Sequence, residues 1–436
     1  MGFAGVGCLD EAYFGGTSVR HLNGIFGRRL PLVQTIWRRF AAIFLCTLVP
    51  AVATAEPSAR LIHFTVDGTQ DADLLLPDFV FDSVWSAMGQ GMDGTIFIAV
   101  SNHDEVAGNV AIFALDPGAD RMRFINDLQS VSAAVGNWRE GEGQYKVHTF
   151  LELASDGRLY FATMPASRPA GRRGAHIYAL DPETEVIEDI SATAPVTVTR
   201  QAKIVRGQGV LLEELGIKGI GAHPDFEDML YVMAHDNGAL LRYDLRSGAI
   251  QPIGHSPRIS YAFHVDQEGD AYYLGGLTDQ PLSFLHYDAQ TGETKPLVTG
   301  IASDEEVGMV VPTANPDLIL VLLAKSKEVF PVNTKTERRL RGGTSCGQNW
   351  WRLFNMAVSP DGADVFFVSN NNTRAAIWRA PVGGGKCVEV LDVEGLLGSR
   401  NLAFGGKNIW VGERFYTPVW THDGAGDLAI LEVTAK

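Results

Sequence analysis

Short runs of alternating or continuous apolar residues, separated by turns rich in Asp, Gly and Asn, fill the chain from residue 59 onward. Runs such as "IFIAV" (96–100), "LYFAT" (159–163) and "LILVLL" (318–323) are rich in β-branched and aromatic residues. They are also too short for helices, so they predict strands. Behind each comes a second hairpin of recurring wording. "IFALDPGADRMRFI" at 112, "IYALDPETEVIEDI" at 177, "LLRYDLRSGAIQPI" at 240 and "FLHYDAQTGETKPL" at 284 are the clear copies. Weaker copies are "VFPVNTKTERRL" at 329 and "IWRAPVGGGKCVEVL" at 377, and the last strand, "LAILEVTA" at 428, has no partner after it.

One position of this hairpin falls at Asp116, Asp181, Asp244, Asp288, Asn333, Pro381 and Val433, at intervals of 65, 63, 44, 45, 48 and 52 residues. Four strands recurring at such a period are the mark of β-propeller blades. Seven copies predict an all-β, seven-bladed β-propeller over 56–436, as one domain. The N-terminal strand "ARLIHFTV" (59–66) is free to join the last blade, which closes the ring without an open sheet edge. A β-sandwich or a pair of small barrels is the rival architecture, and seven spaced anchors disfavour it. The two long intervals predict insertions near 127–145 and 192–215, where "LQSVSAAVGNW" and "GVLLEELG" suit short helices.

The first 55 residues read differently. Arg38 and Arg39 precede an apolar run from Phe40, and Ala53-Thr54-Ala55 stands before Glu56. This is the layout of a secretory signal peptide behind an upstream extension. The run is short and broken by Pro50, which disfavours a membrane anchor. The expected location is periplasmic or secreted, with no insertion in the membrane. Removing residues 1–55 takes five basic and two acidic side chains from the chain's 36 and 51, leaving a net charge of −18. Such a field excludes nucleic acid and anionic lipid as bulk partners. Cys346 and Cys387 remain, enough for one disulfide in an oxidising compartment.

The "SDGRLYFAT" and "IYALDPETE" hairpins, repeated over nearly all of 59–436, resemble the broad group of secreted bacterial propellers with WD40-like, YVTN-like or quinoprotein-like repeats. The resemblance implies a fold; a monomer is the expected state. It implies no ligand: Trp-Asp dipeptides and the tryptophan-docking repeat of quinone-binding dehydrogenases are both missing.

In a blade the innermost strand starts, and the second strand ends, at the same rim. The repeat places Lys146, His148, Lys218, Tyr261, Glu305, Glu306, Arg352 and Arg400 at the starts of inner strands. Asn102, His103, His235, Lys325, Asn370, Glu413 and Arg414 fall at the ends of second strands. Loops to the same rim add Arg168, Arg172, Arg173, Arg338, Arg339 and Arg341, and Trp350-Trp351 follow the last group. Basic side chains thus collect on one rim of an acidic protein, a focused field that suits an anionic ligand.

Two readings follow with equal weight. In the first, the rim holds an acidic saccharide and performs β-elimination at a uronate, a set similar to the His, Tyr and Arg groups of propeller-shaped polysaccharide lyases. Arg352 or Arg400 neutralises the carboxylate, His148 takes the proton, and Tyr145, Tyr261 or His103 protonates the leaving oxygen. Lys146, Lys218, His235, Arg172 and Trp351 complete the binding surface. In the second, the same rim binds an anionic small molecule or an envelope partner without catalysis. A third and weaker reading is a lactonase-like or redox propeller, with Glu305 or Glu306 and Asn370 around a metal. No cofactor is required, but Asp67, Asp71 and Asp73, with Asp423 and Asp427, are candidate calcium ligands. Structural roles compete throughout: rim arginines are commonly solvated, and His103 and His235 each precede Asp at a turn.

Overall fold

The computed structural model describes residues 58–64, 79–168, 171–192, 197–198, 204–205, 212–235, 237–256, 262–276, 281–345, 355–370, 375–398, 402–421 and 428–434. They form an all-β, seven-bladed β-propeller. Blade 1 is Met88–Gln90, Ile96–Ser101, Val110–Leu115 and Arg123–Asp127, each strand antiparallel to the next. Blade 2 has its inner strand in two pieces, Gln144–Val147 and Glu152–Leu153, followed by Leu159–Pro165, Ile177–Leu180 and Ile187–Asp189. Blades 3 to 6 begin with the inner strands Ile217–Gly221, His264–Val265, Val307–Pro312 and Ala357–Val358. In blade 7, Leu402–Phe404 and Ile409–Val411 both pair with Arg414–Thr421, which pairs with Ala429–Thr434. Ser58–His63 adds the outermost strand of that sheet, Leu61 opposite Leu431.

The apolar runs are continuous because the second and third strands are buried on both faces. Alternation sends successive side chains to opposite neighbours. Ile96, Ile98 and Val100 pack with blade 7, whereas Phe97 and Ala99 pack with blade 2. The described residues form seven such apolar clusters, one between each pair of adjacent blades. Near the axis the inner strands crowd. A Cβ on Gly89 of blade 1 would lie 2.3 Å from the Leu151 carbonyl oxygen of blade 2, so only glycine fits there.

Three local expectations meet the structure differently. "LQSVSAA" does form a helix, Leu128–Ala134, started by Asp127 accepting from the Ser130 amide. By contrast Leu212–Glu213, in the stretch that suits a helix, is extended and pairs with Gly174–Ala175. Leu212 is fully buried in the cluster between blades 2 and 3, and that packing overrides helix propensity. In blade 7 "NIWV" belongs to the inner strand, not the second, which carries Glu413 and Arg414 to the turn joining the two. They therefore lie at the opposite rim from the one the repeat assigned. No described helix is long and apolar enough to cross a membrane.

A buried ionic cluster fixes the approach to blade 2. His176, fully buried, donates from Nδ1 to Asp189 at 2.7 Å and from Nε2 to Glu142 at 2.6 Å. Arg173 reaches the other Glu142 oxygen at 3.0 Å, and Ser132 and Asn137 donate to Asp189 at 2.7 Å each. Arg173, a rim candidate by sequence, is thus turned inward. Burial alone would depress His176, but its hydrogen bonds to the two carboxylates leave it raised above 6.5. Burial would likewise raise Glu142 and Asp189, and the bond to His176 holds both below their ordinary values instead.

His176 contributes fully below pH 6.5 and loses its contribution as pH rises through its raised value. The carboxylates contribute fully above about 4.5 and 3.8 and lose it on acidification. His176→Ala strands two buried carboxylates and should cost about 3–5 kcal/mol. Denaturant titrations across pH should show the largest loss between those limits, and a flat pH dependence of the difference would count against the cluster.

Candidate functional site

The basic groups that the structure brings together sit at the start of the inner strands of blades 2 and 3 and at the ends of the second strands of blades 1 and 3. Two β-bulges aim them. Gln144 lies opposite Pro165 and Lys146 opposite Met164, so Tyr145 is an extra residue in the ladder. Ile217 lies opposite Ala234 and Gly219 opposite Met233, which makes Lys218 the extra residue. A bulge re-orients side chains that strict alternation would send elsewhere.

Trp85, just ahead of the inner strand of blade 1, is the hub. The residue is 38% exposed, unusual for a tryptophan beside a core. The Lys146 ammonium stands 4.3 Å from the ring centroid, within cation–π range. The edges of His148, His103 and Trp420 meet the same indole at 5.6, 5.8 and 6.1 Å between centroids. Tyr145 lies edge-on to His103 at 4.7 Å.

His103 is held on every side. Trp85 Nε1–H donates to its Nε2 at 2.5 Å, and its Nδ1 faces Asp82 at 2.9 Å and Ser83 Oγ at 3.0 Å. The indole can only donate, so the His103 proton resides on Nδ1. Its backbone is in the left-handed region, φ +48°, which costs energy for a non-glycine residue. The carboxylate that caps the adjacent turn is Asp104, which accepts from Val106 and Ala107. His103 is therefore an anchor for the Trp85 indole and does not cap the turn.

His148 is 3% exposed and Lys218 1%. Burial first, then the charges of Lys146, Lys218, His235 and His103, holds His148 well below 6.5. It is neutral at physiological pH, and four cationic or protonatable side chains share its surroundings. Burial also pushes Lys146 down to about 8, against the pull of Asp82. Tyr145 is raised by burial and by Glu105 and Asp82, so its hydroxyl keeps its proton. The arrangement offers a lysine poised near neutrality, an aromatic face, and a phenol.

Other sequence candidates have different places. Arg172 donates from Nε to the Glu214 carbonyl at 2.7 Å, tying the loop of blade 2 to the approach of blade 3. Arg168 pairs with Glu105 at 2.6 Å. Glu305 accepts from the amides of Glu306, Lys325 and Ser326, which commits it to the backbone. Arg338 and Arg339 lie exposed on the outer strand of blade 5. Tyr261, Arg352, Arg400, Trp350 and Trp351 lie outside the described residues, as do Asp67, Asp71, Asp73, Asp423 and Asp427. Cys387 is disulfide-bonded, and the other three cysteines lie outside the described residues. Among the described residues no three His, Cys, Asp or Glu side chains converge as metal ligands.

Lys146 binds its proton more weakly in the folded chain than in the unfolded one. It therefore costs stability below about pH 8, and the cost fades as pH rises toward 10.5. Lys146→Met should stabilise the protein near neutrality by on the order of 1 kcal/mol, net of the lost cation–π contact. Thermal melts should show the advantage vanish in alkali; a variant less stable than wild type at neutral pH contradicts the account.

No family model and no curated protein matches this chain. Among solved structures it is similar to Kuenenia stuttgartiensis hydrazine synthase, at 14% identity over 77% of this chain and 82% of that one, TM-score 0.45. It is also similar to the extracellular domain of a hybrid two-component system from B. thetaiotaomicron, at 10% identity over 86% of this chain and 42% of that one, TM-score 0.47. TolB from Acinetobacter baumannii aligns at 10% identity over 78% of this chain and 80% of its own, TM-score 0.38. At these identities the likeness is one of fold alone.

Proposed function

We propose that this chain is an exported propeller that binds an anionic ligand of the acidic-saccharide class at its basic mouth. The observation that carries the reading is the convergence of Lys146, Lys218, His235 and His103 around buried His148, beside an exposed indole. Burying lysines beside His148, in a place that depresses the pKa of both His148 and Lys146, costs stability, and an anion recovers that cost on binding. The exposed indole suits the apolar face of a sugar ring, while the lysine suits its carboxylate. The signal-like segment ending at Ala55 supports a periplasmic or secreted location.

The same geometry supports β-elimination as a second reading, since Tyr145 keeps a proton to give and His148 is neutral. A base whose pKa is pushed far below the working pH is weak, however, and His148 is almost wholly enclosed. Binding is therefore the better-supported function.

Calorimetry with an oligogalacturonate, against a neutral maltooligosaccharide of equal length, tests it. The acidic ligand should bind more tightly, and Lys146→Met and Trp85→Ala should each weaken it about tenfold. Affinity should fall as pH rises through about 8, where Lys146 loses its proton. Equal affinity for the charged and neutral ligands would sink the proposal, and release of an unsaturated uronate would move it to the lyase reading.

A further inference from the structure

The opposite mouth has a different character. There the ends of the inner strands surround a cavity of about 1030 Å³ that does not extend to Lys146, His148 or Lys218. Its wall carries seven carboxylates against three lysines and no arginine. Two of those lysines are already committed, Lys407 to Glu152 at 3.0 Å and Lys295 to Glu337. Among the described residues Asp266 of blade 4 and Asp317 of blade 5 form no ion pair, and the Asp266 carboxylate accepts only from the Glu268 and Asp270 amides and the Tyr272 hydroxyl.

A second and independent observation comes from Asn408, also in the wall and 7% exposed. Its Nδ2 turns to Asn355 Oδ1, an oxygen that already accepts from the Val368 amide, so the orientation of the amide is set. Asn355 is not part of the cavity wall, and the other arm, Oδ1, accepts no hydrogen bond from the described residues. A buried acceptor without a donor is costly, and in an acidic cavity the donor that fits is a cationic N–H.

The chain itself supplies a pattern for that contact. The Lys407 ammonium sits on Glu152 and 4.7 Å from the centre of the Phe150 ring, a carboxylate on one side and an aromatic face on the other. Phe263 and Tyr272 offer further aromatic surface in the same wall. The carboxylates are spread around the cavity, and no three described donors converge, which suits an extended cation better than a metal ion.

We propose that this far mouth binds a small polyammonium ligand, a linear polyamine, with Asp266, Asp317 and Asn408 Oδ1 receiving its N–H groups. The site is separate from the basic mouth and does not depend on the function assigned there. Titration of the full mature chain with spermidine tests it, read by calorimetry at fixed ionic strength. Asp266→Asn with Asp317→Asn should weaken binding at least tenfold. Asp317→Asn alone, at a turn, keeps the test valid if the double variant fails to fold, and should weaken it severalfold. Asp120→Asn removes an equal charge from an exposed site outside the cavity and should leave affinity unchanged, as should Lys146→Met at the other mouth. Equal weakening by Asp120→Asn, displacement of spermidine by magnesium at matched ionic strength, or no binding by wild type would each overturn the proposal.

Discussion

The demand that each blade's two middle strands be buried on both faces governs this molecule. Seven inter-blade clusters share the side chains of those strands between neighbours, so the strands admit almost no charge. Chemistry is therefore expelled to the strand ends, and the two ends are not equivalent. One rim carries tight turns within each blade. There Asp181, Asp244 and Asp288 each accept amide hydrogen bonds from residues two and three ahead. Hydrogen bonds from Thr184, Ser247 and Thr291 also hold these carboxyls below their ordinary range. The turn chemistry of the repeat makes that rim permanently anionic. The other rim carries the longer connections between blades, where no such turn is required and basic residues can collect.

Positioning within the basic rim rests on the ionic cluster around His176. Two carboxylates meet one imidazolium and one guanidinium there, so the buried charges balance. Gln144, the first residue of the inner strand of blade 2, donates to Glu142 and to the Gly174 carbonyl. The strand that delivers Tyr145, Lys146 and His148 is thus tied at its first residue to the rigid cluster, and the bulge follows at once. A misplacement there would move all three.

Much of this was legible in the chain. The Asp-anchored hairpins give the blades, and strand alternation brings His103, Lys146, His148, Lys218 and His235 to one rim. What escaped the reading has specific physical causes. Trp85 stands before the inner strand of blade 1, in the same relative place as Lys146 and Lys218, but "SVW" carries no charge to draw notice. The bulges at Tyr145 and Lys218 leave no mark in the hydrophobic pattern, because each inserts only one residue. Arg173 was misread for the opposite reason: an arginine beside a glycine in a loop looks solvated, and its acid partner lies 31 residues away. In blade 7 the split inner strand lengthened the repeat, so Glu413 and Arg414 were assigned to the wrong rim.

The inner strand of blade 2 passes between the two mouths. Lys146 and His148 stand at the basic end and Glu152 at the acidic end, with Phe150 in the break between the two pieces of the strand. Phe150 packs in the same apolar cluster as Ala262, Met309 and Met356 from blades 4, 5 and 6, so it reaches across the bore. Of these, Phe150, Met309 and Met356 line the far cavity. The depression of His148 and of Lys146 follows first from burial, which disfavours the charged form, and for His148 from the neighbouring basic groups as well.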